Sequence, residues 1–163
     1  MKVFGITGWK NTGKTTLTER LVAEMVRRGL RVSTVKHAHH DTDIDQPGRD
    51  SHRHRMAGAG QVILASSRRW ALMTELQDAG EPPLETLLAR FDPCDLVLVE
   101  GYKISAHPKI ETWRAATGRA LLAQGNPTIR AIARDAPLDH PLPQFDLNDV
   151  GAMATFILRE VRL

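Results

Sequence analysis

The run Gly8-Trp9-Lys10-Asn11-Thr12-Gly13-Lys14-Thr15 constrains this chain more than any other segment. It satisfies Gly-x-x-x-x-Gly-Lys-[Ser/Thr] in full, a pattern that has chemical meaning only between a strand and a helix. Both are readable. Val3 to Thr7 has the apolar character of a short buried strand. Thr15 to Arg28 places Leu17, Leu21 and Met25 on one helical face, flanked by Val22 and Val26. Gly29 supplies the C-terminal stop, and Arg31 to Lys36 resumes an extended pattern. A strand, a helix and a second strand in so short a span form a parallel, right-handed unit. The expected fold is therefore α/β, a P-loop NTPase fold with a mainly parallel sheet flanked by helices and some antiparallel strands.

Each position of the run has a physical reason. Gly8 and Gly13 let the backbone turn so that its N–H groups converge on phosphate oxygens at the positive end of a helix. Lys10, Asn11 and Thr12 lie inside that cradle, and Thr16 follows it in the first helical turn. Lys14 adds a full charge near the β and γ phosphates, and Thr15 places a hydroxyl where it can ligate Mg²⁺. Lys14 is expected to be exposed when no nucleotide is bound. Such a site also needs an acid at the end of a neighbouring buried strand, and Asp95-Leu-Val-Leu-Val-Glu100 offers one. Asp is the usual residue there, so Glu100 is expected to act through a metal-bound water. Asp95 sits at the other end of the strand, about 16 Å away, out of reach of the same ion. The competing reading of Glu100 is a strand-end carboxylate satisfied by backbone donors.

Beyond the first unit, His37 to Arg49 is polar, punctuated by Pro47-Gly48, and reads as a long loop. Asp50 to Ala59 is expected to be a short helix, Gln61 to Ala65 a strand, and Trp70 to Thr74 a strand running antiparallel. Pro82-Pro83 can open a helix from Leu84 to Phe91. Asp95 to Glu100 is the almost wholly apolar strand expected at the centre of a parallel sheet. Lys109 to Trp113 and Thr128 to Ala133 read as further strands. The last helix, capped by Asn148 or Asp149, carries a stripe of Val150, Met153, Ala154, Ile157, Leu158 and Val161. With no linker dividing them, residues 1–163 are expected to form a single P-loop nucleotide-binding domain.

Composition narrows the class. With 42% apolar and 25% charged residues the chain resembles an ordinary soluble domain. Its apolar runs are far shorter than the roughly 20 residues of a membrane span. The N-terminus runs straight into a strand without a secretory signal, and Cys94 is the only cysteine, so a reducing cytoplasmic location without a membrane is expected. The net charge of +3 is spread along the chain, which argues against nucleic acid as a partner.

Two further features carry chemistry. Asp135 closes a strand in the C-terminal third, and its acceptor-only carboxylate matches the N1–H and N2 amino donors of guanine. A turn residue would read the same way. Five of the seven histidines, His37, His39, His40, His52 and His54, crowd one stretch with Asp41, Asp43, Asp45 and Asp50. That stretch reads as a transition-metal site, as a loop that binds a second anion or orders on nucleotide binding, or as a solvated loop.

Together these segments resemble the molybdopterin-guanine dinucleotide biosynthesis adaptor protein B family, MobB. The marks are Val35-Lys36-His37-Ala38-His39-His40-Asp41, Pro47-Gly48-Arg49-Asp50-Ser51, Arg69-Trp70-Ala71-Leu72-Met73-Thr74-Glu75, Leu98-Val99-Glu100-Gly101-Tyr102-Lys103 and Lys109-Ile110-Glu111. Ala131 to Asp135 and Asp146 to Val150 look like the family's C-terminal part. The resemblance implies a homodimeric GTP-binding protein of weak intrinsic GTPase activity. It would assist the guanylyltransferase that joins GMP to molybdopterin, and molybdoenzymes or their chaperones are further partners. Carried over by position, Gly8, Gly13, Lys14, Thr15 and Thr16 would hold the phosphates of GTP, Thr15 and Glu100 the Mg²⁺, and Asp135 the guanine. His37, His39, His40, Asp41, Asp50 and Lys103 would serve a second ligand or a switch loop. Two other readings of the same residues are a metal-delivery GTPase storing nickel or zinc in the His-rich loop, and a small-molecule kinase.

Overall fold

The computed structural model describes residues 1–38 and 44–163. In chain order its elements are β1 (Lys2–Gly8), α1 (Lys14–Arg27), β2 (Val32–Lys36), α2 (Asp50–Met56), β3 (Gln61–Ala65), β4 (Trp70–Thr74), α3 (Leu84–Leu88), β5 (Leu96–Glu100), β6 (Lys109–Trp113), β7 (Ile129–Arg134), β8 (Gln144–Asp146) and α4 (Val150–Val161). The backbone gathers into two compact units, Met1–His37 with Leu87–Leu163, and Ala38–Thr86.

The first unit is built on a six-stranded sheet in the order β2-β5-β1-β6-β7-β8. Every neighbouring pair is parallel. β1 is central, so the loop that follows it emerges mid-sheet, where ligands of open α/β sheets bind beyond the carboxyl ends of strands. Register sets what meets it there. Ile6 pairs with Glu100, and Glu100 with Lys36 on its other side. Alternation puts Phe4 and Ile6, Leu96 and Leu98, Ile110, and Ala131 and Ala133 into one core with Leu17, Leu21 and Met25 of α1 and Met153, Ile157 and Val161 of α4. Each large side chain so buried contributes about 1.5–3 kcal/mol. Asp149 caps α4, its Oδ1 accepting from the Ala152 N–H at 3.0 Å.

β8 departs from the expected pattern. Its three residues follow Pro141 and Pro143 and are too short to show a period. They become a strand because the Ile132 N–H binds the Pro143 carbonyl at 2.9 Å, adding a sheet edge where proline is tolerated. α3 stops at Leu88 instead of reaching Phe91, since Arg90 and Phe91 bond three residues back and Asp92-Pro93 follows. α2 ends at Met56, short of Ala59, because Gly58 turns to φ 103°.

In the second unit β3 and β4 form the expected antiparallel pair, with Ile63 opposite Leu72 and Ala65 opposite Trp70. Those residues share one face, and Ile63 and Trp70 are 64% and 66% exposed. Arg55 of α2 donates to Glu75 Oε1 at 2.6 Å and lies 3.5 Å from Asp45, whose Oδ1 accepts from the Ser51 hydroxyl.

Candidate functional site

The loop between β1 and α1 adopts a backbone that few residues permit. Gly8, Asn11 and Gly13 have φ of 146°, 66° and 97°. A side chain at Gly8 would also put its Cβ 2.5 Å from the Thr112 hydroxyl and 2.6 Å from the Thr112 carbonyl. Glycine is therefore required there on two counts. Thr12 is wholly buried, its hydroxyl donating to the Trp9 carbonyl and sharing a 2.6 Å hydrogen bond with that of Thr112 on β6. Its side chain faces the sheet, and only its backbone is left for a ligand. α1 then starts at Lys14 from Gly13 with no side-chain cap and no acid in its first turn.

A cleft of about 310 Å³ opens at this helix start, lined by Lys10, Asn11, Gly13, Lys14, Thr15, Thr16 and Glu100. Lys14 is half-buried here, contrary to the exposed side chain expected, because its Nζ folds back to donate to the Trp9 carbonyl at 2.7 Å. Burial holds its pKa below the ordinary lysine value, Glu100 opposes that shift, and the charges of Lys103 and Lys36 add to it.

At the mouth of the cleft the Thr15 hydroxyl donates to Glu100 Oε1 at 2.8 Å. Lys36 Nζ lies 3.3 Å from the Thr15 oxygen and 3.5 Å from the Glu100 carboxylate. Glu100 is only 7% exposed. A hydroxyl and a carboxylate, both hard oxygen donors, already share a cation there, and that donor set fits Mg²⁺. Asp95 lies at the other end of β5, bound to Arg31 at 3.1 Å.

Asp135 follows β7, and its Oδ1 accepts the Ala115 N–H at 2.9 Å while Oδ2 lies 3.8 Å from Arg114 Nη1. The Arg114 guanidinium in turn lies 3.5 Å from where a Cβ on Gly13 would stand. Arg114 thus stands near both Asp135 and the phosphate loop. His37 follows β2, with its N–H on the Glu100 carbonyl and its ring 4.8 Å from that of Tyr102. Lys103 lies 4.6 Å from the centroid of the Trp9 ring. Asp50 opens α2 in the second unit, 3.8 Å from Arg53. His39, His40 and Asp41 lie outside the described residues, and among the described residues no three His, Cys, Asp or Glu are grouped to hold a metal ion.

Lys36, Arg114 and the indole of Trp9 are site residues that the motif does not mark. The signal for the first two is position, since each stands at or just past the C-terminal end of a parallel strand, Arg114 after β6 beside the P-loop strand and Lys36 on β2, one strand further out beyond β5.

A family model described as molybdopterin guanine dinucleotide synthesis protein B, MobB, matches residues 3–135. The molybdopterin-guanine dinucleotide biosynthesis adapter protein of Escherichia coli K12 is 43% identical over 155 residues, covering 92% of this chain and 87% of that protein. The protein of the same name from Haemophilus influenzae is 41% identical over 157 residues, covering 95% and 86%. Among solved structures, a MobB protein homolog from Bacillus stearothermophilus superposes with a TM-score of 0.76 at 34% identity, covering 99% of both chains. Bacillus subtilis MobB reaches 0.77 at 23% identity over 99% of this chain and 98% of that one, a likeness of fold.

Proposed function

This chain belongs to the molybdopterin guanine dinucleotide synthesis protein B family, MobB, and we propose on that premise that it is an adapter holding GTP and Mg²⁺ for the enzyme that makes the dinucleotide. Its role lies in molybdenum cofactor biosynthesis. The observation that carries the reading is the meeting of Thr15 and Glu100 at 2.8 Å on the lip of an uncapped helix start. Free N–H groups, Lys14 and a hard-oxygen pair are what a triphosphate and its magnesium need.

Gly8, Lys10, Asn11, Thr12 and Gly13 supply backbone to the phosphates, and Lys14, Thr15 and Thr16 supply backbone and side chain. Thr15 and Glu100 would hold Mg²⁺, which would supply positive charge to neutralise that of the triphosphate. Lys14, drawn off the Trp9 carbonyl, places its ammonium on the phosphates. Asp135 turns its carboxylate to guanine.

Hydrolysis is slow without a partner. Glu100 is the one acid among the described residues lining the cleft, and no glutamine stands there to orient water. Unaided turnover above about one per second would move the protein out of the adapter class. A guanylyltransferase, and beyond it molybdoenzymes or their chaperones, are the partners of such an adapter. No helix among the described residues is long and apolar enough to cross a membrane, in keeping with a cytoplasmic protein. The hairpin face bearing Ile63, Leu72 and Trp70 supports a homodimer, since a two-stranded hairpin is at best marginal in water without cover. Trp70→Asp should shift the mass seen by light scattering from dimer to monomer, and an unchanged dimer would place the interface elsewhere.

Base recognition has a direct test. Asparagine at 135 replaces one acceptor with a donor, and xanthine carries a carbonyl where guanine has its amino group. Asp135→Asn should weaken GTP and gain xanthosine triphosphate, each mismatch costing about 1–3 kcal/mol. A variant that loses GTP without gaining the xanthine nucleotide would leave Asp135 only the Ala115 turn to hold.

A further inference from the structure

Outside the phosphate cleft, two cations converge on one indole. Lys103 Nζ is 4.6 Å, and the Arg119 guanidinium 5.6 Å, from the centroid of the Trp9 ring. None of the three lines the phosphate cleft. The arrangement is pinned from both sides. Trp9 Nε1 donates to the Ala120 carbonyl at 2.8 Å and Trp113 Nε1 to the Arg119 carbonyl at 2.9 Å, so two successive carbonyls of the arginine's segment are held.

On the other side Lys109 is wholly buried and donates to the Ser105 carbonyl, to that of His107 at 3.0 Å and to the Thr128 hydroxyl at 2.8 Å. That hydroxyl donates to Asn126 Oδ1, and Asn126 Nδ2 to the Lys103 carbonyl at 2.7 Å. Burial lowers the Lys109 pKa to about 8. A buried ammonium without a carboxylate is costly, and its effect here is to fix the turn that presents Lys103. Neither Lys103 nor Arg119 has a carboxylate within ion-pair distance among the described residues. Lys103 also lies close enough for its charge to act on Lys14. Two cations thus stand against one indole, on backbone segments that hydrogen bonds fix, without a counter-charge among the described residues.

Resting on the GTP reading above, we propose that Trp9, Lys103 and Arg119 form a second anion subsite that takes a phosphate monoester of an aromatic heterocycle while the P-loop holds its nucleotide. The chemistry of the product names the class. A guanine dinucleotide of a pterin joins two phosphates, so the group that meets the guanosine nucleotide is itself a phosphate monoester. A guanidinium grips such a phosphate bidentately, the ammonium adds a point charge, and the indole seats both cations.

The test is calorimetric titration of dihydroneopterin monophosphate into protein saturated with Mg²⁺ and a non-hydrolysable GTP analogue, with unphosphorylated neopterin in parallel. Binding of the phosphate alone is expected. Lys103→Met and Arg119→Met should each weaken it about tenfold or more, leaving the affinity for the GTP analogue within about twofold. Equal binding by the variants would overturn the subsite. So would competition between pterin phosphate and analogue, or equal losses of both, which would assign the cations to the nucleotide's own phosphates. A wild-type protein that fails to bind the analogue would bring down the GTP reading together with the subsite.

Discussion

α1 and α4 pack against each other in one core, yet their first turns are completed in opposite ways. At α4 the Asp149 carboxylate accepts the Ala152 N–H, and the helix start is closed by its own chain. At α1 a left-handed glycine stands at the cap position, with no side-chain cap and no acid in the first turn. Every helix begins with N–H groups that lack intrahelical partners. A helix serving only the fold satisfies some of them with a capping side chain. One serving a ligand leaves them open and surrounds them with fixed positive charge, here Lys14 and Lys36. The comparison teaches that an unfinished helix start is informative when the same core contains a finished one.

The harshest way to break the contrast is Gly8→Val. Its Cβ would collide with Thr112 in a backbone region that β-branched residues avoid. GTP affinity should fall by more than about a hundredfold, with a lowered Tm in thermal unfolding. If binding survived, the loop geometry would not be what holds the phosphates.

Lys14→Ala sharpens it. Affinity should drop about ten- to a hundredfold, because a charge-assisted contact is lost, while the stability of the ligand-free protein stays put. GTP at about a hundred times its Kd should stabilise the wild type by about 2.7 kcal/mol. At the same concentration the variant should gain far less. A variant unfolding earlier without ligand would make the first turn of α1 structural, like that of α4.

Asp149→Ala is the mirror experiment and a smaller one. Loss of the cap should cost about 1 kcal/mol in denaturant unfolding and leave GTP affinity unchanged. An affinity change would couple the two helix starts through their shared core.

The mildest effect is a pH limb. Lys14 must carry its proton to hold phosphate, and in the free protein burial and its lysine neighbours lower its pKa below 10.5. Affinity should therefore decline as pH rises through that lowered value, earlier than an ordinary lysine would dictate. Lys36→Met should move the limb to higher pH, and an unmoved limb would mean that Lys36 does not act on Lys14.

Much of this was legible in residue order. The P-loop spacing, the Leu17, Leu21 and Met25 face and the apolar run ending at Glu100 are local patterns, and local patterns survive into the fold. β8 was not legible, because three residues between proline and a turn have no period and become a strand only by pairing with β7. Nor was the folding back of Lys14, which depends on where the Trp9 carbonyl points once Gly8 has turned the chain.

The sequence by itself determined that a strand would deliver a glycine-rich loop to the start of an amphipathic helix, with a lysine and a threonine set to follow. Those properties reside in neighbouring residues and their conformational limits. Only the tertiary structure decided who else stands there. Strand order set Glu100 in register beside β1 and Lys36 beside Glu100 on its far side, and the exit of β6 brought Arg114 close to Gly13. Residues so distant along the chain become neighbours through the pairing of strands and the burial of their shared core, which no local pattern records.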